Sequence, residues 1–177
     1  MKNDVGKIAI IGLGYVGLPL AVGLSKKYDV IGFDINSLRI EDLKNAKDVT
    51  NELTKTDIAC LKNIKLTFDE NDLVEANQFI VTVPTPIKRN NDPDLSYLIK
   101  ASELVSKHIK KGTHIIYEST VYPGATEEVC LPILQKNTNL EFNQDFFLGY
   151  SPERINPGDK KHKLENIVKV TSGSNDE

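Results

Sequence analysis

The chain has 177 residues, of which 40% are hydrophobic, enough to bury the core of one ordinary domain. We therefore predict a single domain over residues 1–177. The 22 Lys and Arg against 25 Asp and Glu give a formal charge of −3, and the basic residues form no concentrated tract. This excludes the basic surface typical of nucleic-acid-binding proteins. The apolar run 8–13 is far shorter than the roughly 20 residues of a membrane helix, so no membrane partner is expected.

Strand-like and helix-like patterns alternate along the chain. Short apolar or β-rich runs predict strands at 7–11, 28–34, 64–68, 78–83, 114–117, 146–150 and 167–171. Apolar spacing and capping signals predict helices at 15–27, 36–44, 54–61, 69–75, 92–109 and 126–135. Pro132 either kinks the last helix or argues against it. Because parallel strands need a crossover that a helix can supply, we predict an α/β fold: a doubly wound, mainly parallel sheet with helices on both faces.

A glycine-rich turn, Gly-Leu-Gly-Tyr-Val-Gly at 12–17, lies between the first predicted strand and the first predicted helix. In that context the GxGxxG pattern is typical of a Rossmann domain that binds a dinucleotide. The first glycine permits a tight turn, the second lets the backbone approach a pyrophosphate, and the third lets the helix pack closely. The start of the helix offers free N–H groups to the phosphates. The predicted cofactor-binding residues of the turn are Gly12, Gly14, Tyr15, Val16 and Gly17.

An acidic residue, Asp34, ends the second predicted strand, twenty residues after Gly14. Its carboxylate can accept hydrogen bonds from the adenosine ribose and would repel a 2′-phosphate, so we predict NAD rather than NADP as the cofactor. The alternative is that the glycines only form a turn and that Asp34 is a solvated strand-end carboxylate. Arg39 has two interpretations: it lies over the adenine, or it is an exposed helix residue.

Five blocks of the sequence resemble the UDP-sugar 6-dehydrogenases, which include UDP-glucose dehydrogenase and the UDP-N-acetylhexosamine dehydrogenases of surface-polysaccharide synthesis. The blocks are 12–21, 34–39, 83–86, 119–124 and 151–158. The last block, together with 169–173, looks most like the Vi-antigen-type branch that oxidises UDP-GlcNAc or UDP-GalNAc. The resemblance implies that two NAD molecules accept hydride in turn while the sugar C6 alcohol becomes a carboxylate. It also implies that a cysteine holds the intermediate covalently.

The same resemblance implies roles for four residues. Thr120 matches a threonine beside the nicotinamide and the catalytic water, and Glu153 matches a glutamate that helps the water hydrolyse a thioester. Thr85 matches a cofactor-contacting position, and Arg154 is a candidate phosphate or sugar contact. From position alone, Thr120 could equally end a strand, and Glu153 with Arg154 could form a surface ion pair of little energetic value.

The nucleophilic cysteine of this family lies in a GxCxPKD block, which the sequence lacks. Cys60 and Cys130 occur in other contexts, and we expect both to be buried apolar residues in a reducing, cytoplasmic compartment. No metal site is predicted, and His108, His114 and His162 supply no evident substitute nucleophile. We therefore expect a truncated chain that binds NAD but lacks the central helix and the UDP-sugar-binding domain. The full-length protein is expected to bind the UDP-sugar and to form a homodimer.

Two other functions are compatible with these residues. A standalone NAD-binding module would sense the cofactor or bind a partner, but such a module has no need for the groups at 151–154. A dehydrogenase of another sugar or hydroxy acid would keep the chemistry and change the substrate. The sequence does not identify the epimer of the hexosamine.

Overall fold

The computed structural model describes residues 5–153 and 168–175. Within them, one sheet contains β1 (Lys7–Ile11), β2 (Val30–Phe33), β3 (Ile64–Thr67), β4 (Ala76–Val81), β5 (Thr113–Tyr117), β6 (Phe146–Tyr150) and β7 (Ser172–Gly173). The strand order is β3-β2-β1-β4-β5-β6-β7. The first six strands pair in parallel, and β7 pairs antiparallel with β6. The predicted doubly wound α/β fold is confirmed.

Helices cover both faces of this sheet. They are α1 (Gly17–Ser25), α2 (Ser37–Lys44), α3 (Lys55–Cys60), α4 (Ser96–Ser106) and α5 (Leu131–Lys136), with 3₁₀ turns at Leu61–Asn63 and Glu70–Glu75. Successive strand side chains point to opposite faces, so the inner strands β1, β2, β4 and β5 contribute to two cores, one on each face. Ile8 and Ile10 of β1 pack in the core that contains α1 and α2. Ala9 and Ile11 pack in the core that contains α4 and α5.

The start of α2 shows how a local signal sets a boundary. The Asn36 side chain accepts hydrogen bonds from the backbone N–H groups of Leu38 and Arg39, at 3.1 and 3.3 Å. These groups have no partner inside the helix, so the cap satisfies them. The predicted start at 36 or 37 is confirmed, and it places α2 directly after the end of β2.

The fourth helix is shorter than predicted at both ends. The residues before Ser96 form a loop instead. An isolated bridge between Ile87 and Pro93 and a hydrogen bond from the Lys88 N–H to the Asp92 carbonyl, at 2.8 Å, close this loop. Asp94 then accepts a hydrogen bond from the Ser96 N–H at 3.0 Å. Local turn hydrogen bonds therefore outcompete helix in the segment where apolar spacing is absent.

Two predictions near the end of the chain need correction. The segment predicted as one helix is a π-helical turn, Thr126–Cys130, followed by α5, which places Pro132 in the first turn, where no N–H donor is required. The predicted strand at 167–171 is wrong over its described residues, since the strand is Ser172–Gly173. Val168 and Val170 are exposed and lie before the strand, so their β propensity did not locate it.

No helix in residues 5–153 and 168–175 has the length and apolar character required to span a bilayer.

Candidate functional site: a dinucleotide cleft

The glycine-rich turn joins β1 to α1 in a shape that side chains would obstruct. Gly12 has φ +98°, in the left-handed region. A Cβ atom at Gly17 would collide with the Gly12 carbonyl oxygen and the Thr82 hydroxyl, because α1 begins directly against the end of β1. Around Gly14, by contrast, the space for a Cβ atom is open. A pyrophosphate approaching Gly14 would meet backbone rather than a side chain.

Thr82 supports this turn although it lies outside the glycine motif. Its hydroxyl lies 3.1 Å from the Ile11 carbonyl oxygen and 2.8 Å from that of Gly12. Thr82 directly follows β4, so its hydrogen bonds connect the end of β4 to the glycine turn after β1. Its signal in the sequence was a hydroxyl side chain inside the apolar run 79–83.

Asp34 stands at the end of β2 with its carboxylate held by the backbone. The Leu13 N–H donates to Oδ2 at 2.8 Å and the Asn36 N–H donates to Oδ1 at 2.9 Å. Each carboxylate oxygen can accept a second hydrogen bond. The carboxylate is therefore oriented by its own chain and keeps acceptor capacity for ribose hydroxyls, which contradicts the alternative of a freely solvated carboxylate.

Arg39 is buried, with 8% of its surface exposed, so its interpretation as an exposed helix residue is wrong. Its Nε donates to the Leu13 carbonyl at 3.0 Å, and its Nη2 contacts Asp48 at 3.0 Å. The remaining nitrogen, Nη1, is buried without a hydrogen bond among the described residues. The placement of Arg39 over an adenine stays a prediction.

A cleft of about 910 Å³ opens beyond the carboxyl ends of the parallel strands. This is where open α/β sheets bind ligands, and the volume is that of a small-molecule or cofactor site. The predicted site residues that line it are Gly12, Gly14, Tyr15, Val16, Asp34, Thr85, Thr120 and Glu153. Gly17 and Arg39 contact the glycine turn but do not line the cleft. Arg154 lies outside the described residues. The open space at Gly14, the oriented Asp34 carboxylate and the orphaned Arg39 nitrogen all fit a dinucleotide.

Two hydroxyl groups connect the loops that follow β4 and β5. The Thr85 hydroxyl donates to the Thr120 carbonyl at 2.5 Å, and the Ser119 hydroxyl donates to the Val83 carbonyl at 2.6 Å. The two bonds run in opposite directions between the loops, so they fix one loop against the other. Ser119 was part of a recognised sequence block but had no predicted role.

A buried carboxylate, Glu118, lies at the same end of the cleft as Thr120 and Glu153, with 6% of its surface exposed. Lys169 donates to it from the chain that leads into β7. Burial raises the pKa of Glu118, the Lys169 ammonium opposes that rise, and the negative charge of Glu153 adds to it. Neither Glu118 nor Lys169 was predicted, because the two residues meet only through the fold.

The raised pKa of Glu118 makes a prediction about stability. The native carboxyl group holds its proton more tightly than the unfolded one, so this residue lowers native stability as pH rises from about 4.5 through the raised pKa. Glu118→Gln should therefore flatten the dependence of the unfolding free energy on pH in that window. Urea titrations at several pH values would measure it, with the exposed Glu41→Gln as control. Superimposable curves for Glu118→Gln and the unaltered protein would refute the assignment.

The cysteines and histidines add no further nucleophile to the described cleft. Cys130 is fully buried and burial raises the pKa of its thiol, as expected for an apolar core residue. Cys60 is only half-buried, which corrects the expectation of burial. Burial lowers the pKa of His108, exposed His114 stacks on Phe147 with ring centroids 5.0 Å apart, and His162 lies outside the described residues. No group of three or more metal-binding side chains occurs in the described ranges.

The parallel sheet, the glycine turn and the acidic strand end together define a Rossmann domain that binds a dinucleotide. The family model of the UDP-glucose/GDP-mannose dehydrogenase NAD-binding domain matches residues 6–177. The chain belongs to this family, and its cofactor is NAD.

Individual relatives agree with this assignment. The chain is 57% identical over 171 residues to UDP-N-acetyl-D-glucosamine 6-dehydrogenase of Pseudomonas aeruginosa, covering 97% of the chain and 40% of that protein. It is 57% identical over 166 residues to protein CapL of Staphylococcus aureus, covering 94% and 39%. The solved UDP-D-ManNAc dehydrogenase of Pyrococcus horikoshii superposes with a TM-score of 0.83 at 34% identity, covering 94% of this chain and 41% of that one. The chain thus spans about 40% of the length of these relatives.

Proposed function

We propose that the chain is the cofactor half of an enzyme that oxidises the C6 hydroxyl of a UDP-N-acetylhexosamine to a carboxylate, using two NAD molecules. The observation that carries this proposal is the asymmetry of the cleft. The glycine turn and Asp34, which suit a dinucleotide, follow β1 and β2 at one end, and Thr120 and Glu153 follow β5 and β6 at the other. The identity to a UDP-N-acetyl-D-glucosamine 6-dehydrogenase supports the substrate class.

Each end of the cleft has a separate task in this proposal. The backbone at Gly14 binds the pyrophosphate, and Asp34 accepts the ribose hydroxyls and repels a 2′-phosphate, which disfavours NADP. Bound NAD supplies the hydride acceptor for the oxidation. At the other end, Thr120 orients a water molecule and Glu153 takes its proton as the oxygen attacks the thioester. Arg154, in the segment that follows, is proposed to contact the phosphate or the sugar of the substrate.

The acidic end of the cleft favours an enzyme over a cofactor sensor. A sensor needs the dinucleotide contacts only, whereas Glu118 and Glu153 add two carboxyl groups to the cleft that Thr120 also lines. Burying Glu118 costs stability, as its raised pKa indicates, and a proton-transfer site gives a reason to retain it. Dehydrogenation of a different sugar or hydroxy acid is less well supported, because the named relatives act on nucleotide sugars.

Three finer points belong to the proposal for the whole protein. We favour UDP-N-acetyl-D-glucosamine over the galactosamine epimer because relatives at 57% and 56% identity carry that name. We place the reaction in the cytoplasm, since two cysteines without a disulfide suit a reducing compartment. The homodimer implied by the family resemblance stays a prediction.

The isolated chain should bind NAD but should not produce NADH steadily when UDP-N-acetyl-D-glucosamine is added. The physical reason is that neither Cys60 nor Cys130 offers a thiol in the cleft for the covalent intermediate. Absorbance at the NADH band, with NAD binding measured by calorimetry on the same preparation, tests both statements. Sustained NADH formation by the chain alone would contradict the proposal that the nucleophilic thiol lies outside this chain.

A chimera tests the proposed chemistry directly. Residues 1–177 would be joined to the remaining part of the Pseudomonas aeruginosa relative, whose matched region is 57% identical. We expect two NADH per UDP-N-acetyl-D-glucosamine, and Glu153→Gln should slow turnover by about 100-fold or more while NAD binding persists. A chimera that folds and binds NAD yet forms no NADH would refute the proposed function, as would unimpaired turnover by Glu153→Gln.

A further inference from the structure

The peptide unit between Gly12 and Leu13 is held at both of its polar atoms. The Leu13 N–H donates to Asp34 at 2.8 Å, and the Thr82 hydroxyl donates to the Gly12 carbonyl at 2.8 Å. A trans peptide is planar, with its N–H and its carbonyl pointing in opposite directions. This unit is therefore clamped between β2 and β4.

The next peptide unit, between Leu13 and Gly14, is held at its carbonyl by Arg39. The Nε of Arg39 lies 3.0 Å from the Leu13 oxygen. Because the unit is planar, fixing the carbonyl toward Arg39 turns the Gly14 N–H to the opposite side. Gly14 lines the cleft, and the space beside its Cα is open. The direction of this N–H thus depends on where the Arg39 guanidinium is held.

The guanidinium is held by Asp48, in the loop between α2 and α3. Arg39 Nη2 lies 3.0 Å from Asp48 Oδ1, and the two side chains are 7% and 2% exposed. The carboxylate also accepts from the Thr50 N–H at 3.0 Å, the Thr50 hydroxyl at 2.6 Å, and the N–H groups of Glu52 and Leu53 at 2.9 and 3.1 Å. Thr50 closes the network, since its oxygen lies 3.2 Å from Arg39 Nη2.

The charge of Asp48 is maintained despite its burial. Burial by itself would raise the pKa of this carboxyl, but hydrogen bonds from Thr50, Leu53 and Arg39 outweigh the effect and lower the pKa. A buried ion pair with its remaining lone pairs satisfied is rigid, and removing one partner leaves the other charge uncompensated. The pair therefore gives the guanidinium one defined position.

We propose that Asp48 is a positioning residue for the pyrophosphate site, acting through Arg39 to turn the Gly14 N–H toward the bound phosphates. Asp48 itself does not line the cleft. The inference rests on the proposed function in one respect, namely that NAD binds with its pyrophosphate at the glycine turn. Asp48 differs from Asp34, which holds the preceding peptide unit and faces the ribose.

The decisive experiment compares ligands with and without phosphate. Calorimetry would measure NAD, ADP-ribose and adenosine binding to the unaltered chain, to Asp48→Asn, and to Asp57→Asn as the matched control. Asp57 caps α3 from the same region and does not contact Arg39. We expect Asp48→Asn to weaken NAD and ADP-ribose by about 10-fold more than it weakens adenosine, the range set by one charge-assisted hydrogen bond, because any contact of Arg39 with the adenine is common to all three ligands. Asp57→Asn should leave all three unchanged.

A second measurement needs no ligand. In ¹H–¹⁵N spectra of the unliganded chain, the Gly14 amide and the Arg39 Nε–H should shift or broaden in Asp48→Asn and stay unchanged in Asp57→Asn. If Asp48→Asn fails to fold, Thr50→Val removes the hydroxyl that bridges the pair and should give the same pattern with smaller changes. An unperturbed Gly14 amide, or equal loss of adenosine and ADP-ribose affinity, would overturn the proposal. Failure of the unaltered chain to bind NAD would refute the proposed function. The spectra of the unliganded chain would then decide whether Asp48 orients the Gly14 N–H.

Discussion

Asp34→Ala is expected to weaken NAD binding by about 10-fold or more, because a charged acceptor for two ribose hydroxyls is removed. The structure adds a second cause. The same carboxylate accepts the Leu13 N–H and the Asn36 N–H, so its removal also loosens the glycine turn. Calorimetric titration of both proteins with NAD would give the ratio of dissociation constants.

The cofactor preference gives an independent readout of Asp34. The unaltered chain should bind NADP more weakly than NAD, because a 2′-phosphate would meet the carboxylate. In Asp34→Ala the difference between the two cofactors should shrink. Asp42→Ala is the control, since Asp42 pairs with Lys47 at 3.0 Å on the exposed side of α2. Unchanged NAD affinity in Asp34→Ala would show that the ribose is not held at the end of β2.

Gly17→Ala is expected to destabilise the chain by about 1–3 kcal/mol or more, as overpacking of a close contact does. The added Cβ atom would meet the carbonyl oxygen of Gly12 and the hydroxyl of Thr82, and the Gly12 oxygen is backbone that cannot rotate away. Either α1 must move away from β1 or the turn must distort, so NAD affinity should fall as well. The midpoint of thermal or urea unfolding measures the first effect.

Gly14→Ala supplies the matched comparison within the same turn. No atom lies within 4 Å of the position of its Cβ, so the unfolding free energy should change by less than about 0.5 kcal/mol. NAD affinity should nevertheless fall, because the methyl group would occupy the path of the pyrophosphate to the backbone. A Gly14→Ala protein with unaltered NAD affinity, or a Gly17→Ala protein with unaltered stability, would contradict this account of the turn.

Most of the fold follows from local sequence patterns. The runs that form β1, β2, β4 and β5 pack on both faces of the sheet, and such apolar runs are recognisable without any knowledge of their neighbours. The errors occur where other interactions override the pattern on which the prediction was made. The valines at 168 and 170 have strand propensity but are exposed and lie before β7, and turn hydrogen bonds before Ser96 replace the start of a predicted helix.

Some features of the cleft were likewise predictable from the sequence, and others were not. The glycine turn and Asp34 are close in sequence and have a fixed spacing, because one strand, one turn and one helix separate them, so the sequence by itself determined the class of cofactor. Glu118 and Lys169 are 51 positions apart, and the orientation of the Leu13–Gly14 peptide depends on Asp48, which no motif marks. Only the tertiary structure decided these contacts, because the partner of a buried charge is chosen by which side chains the packed chain brings within hydrogen-bond distance, and sequence spacing does not contain that distance.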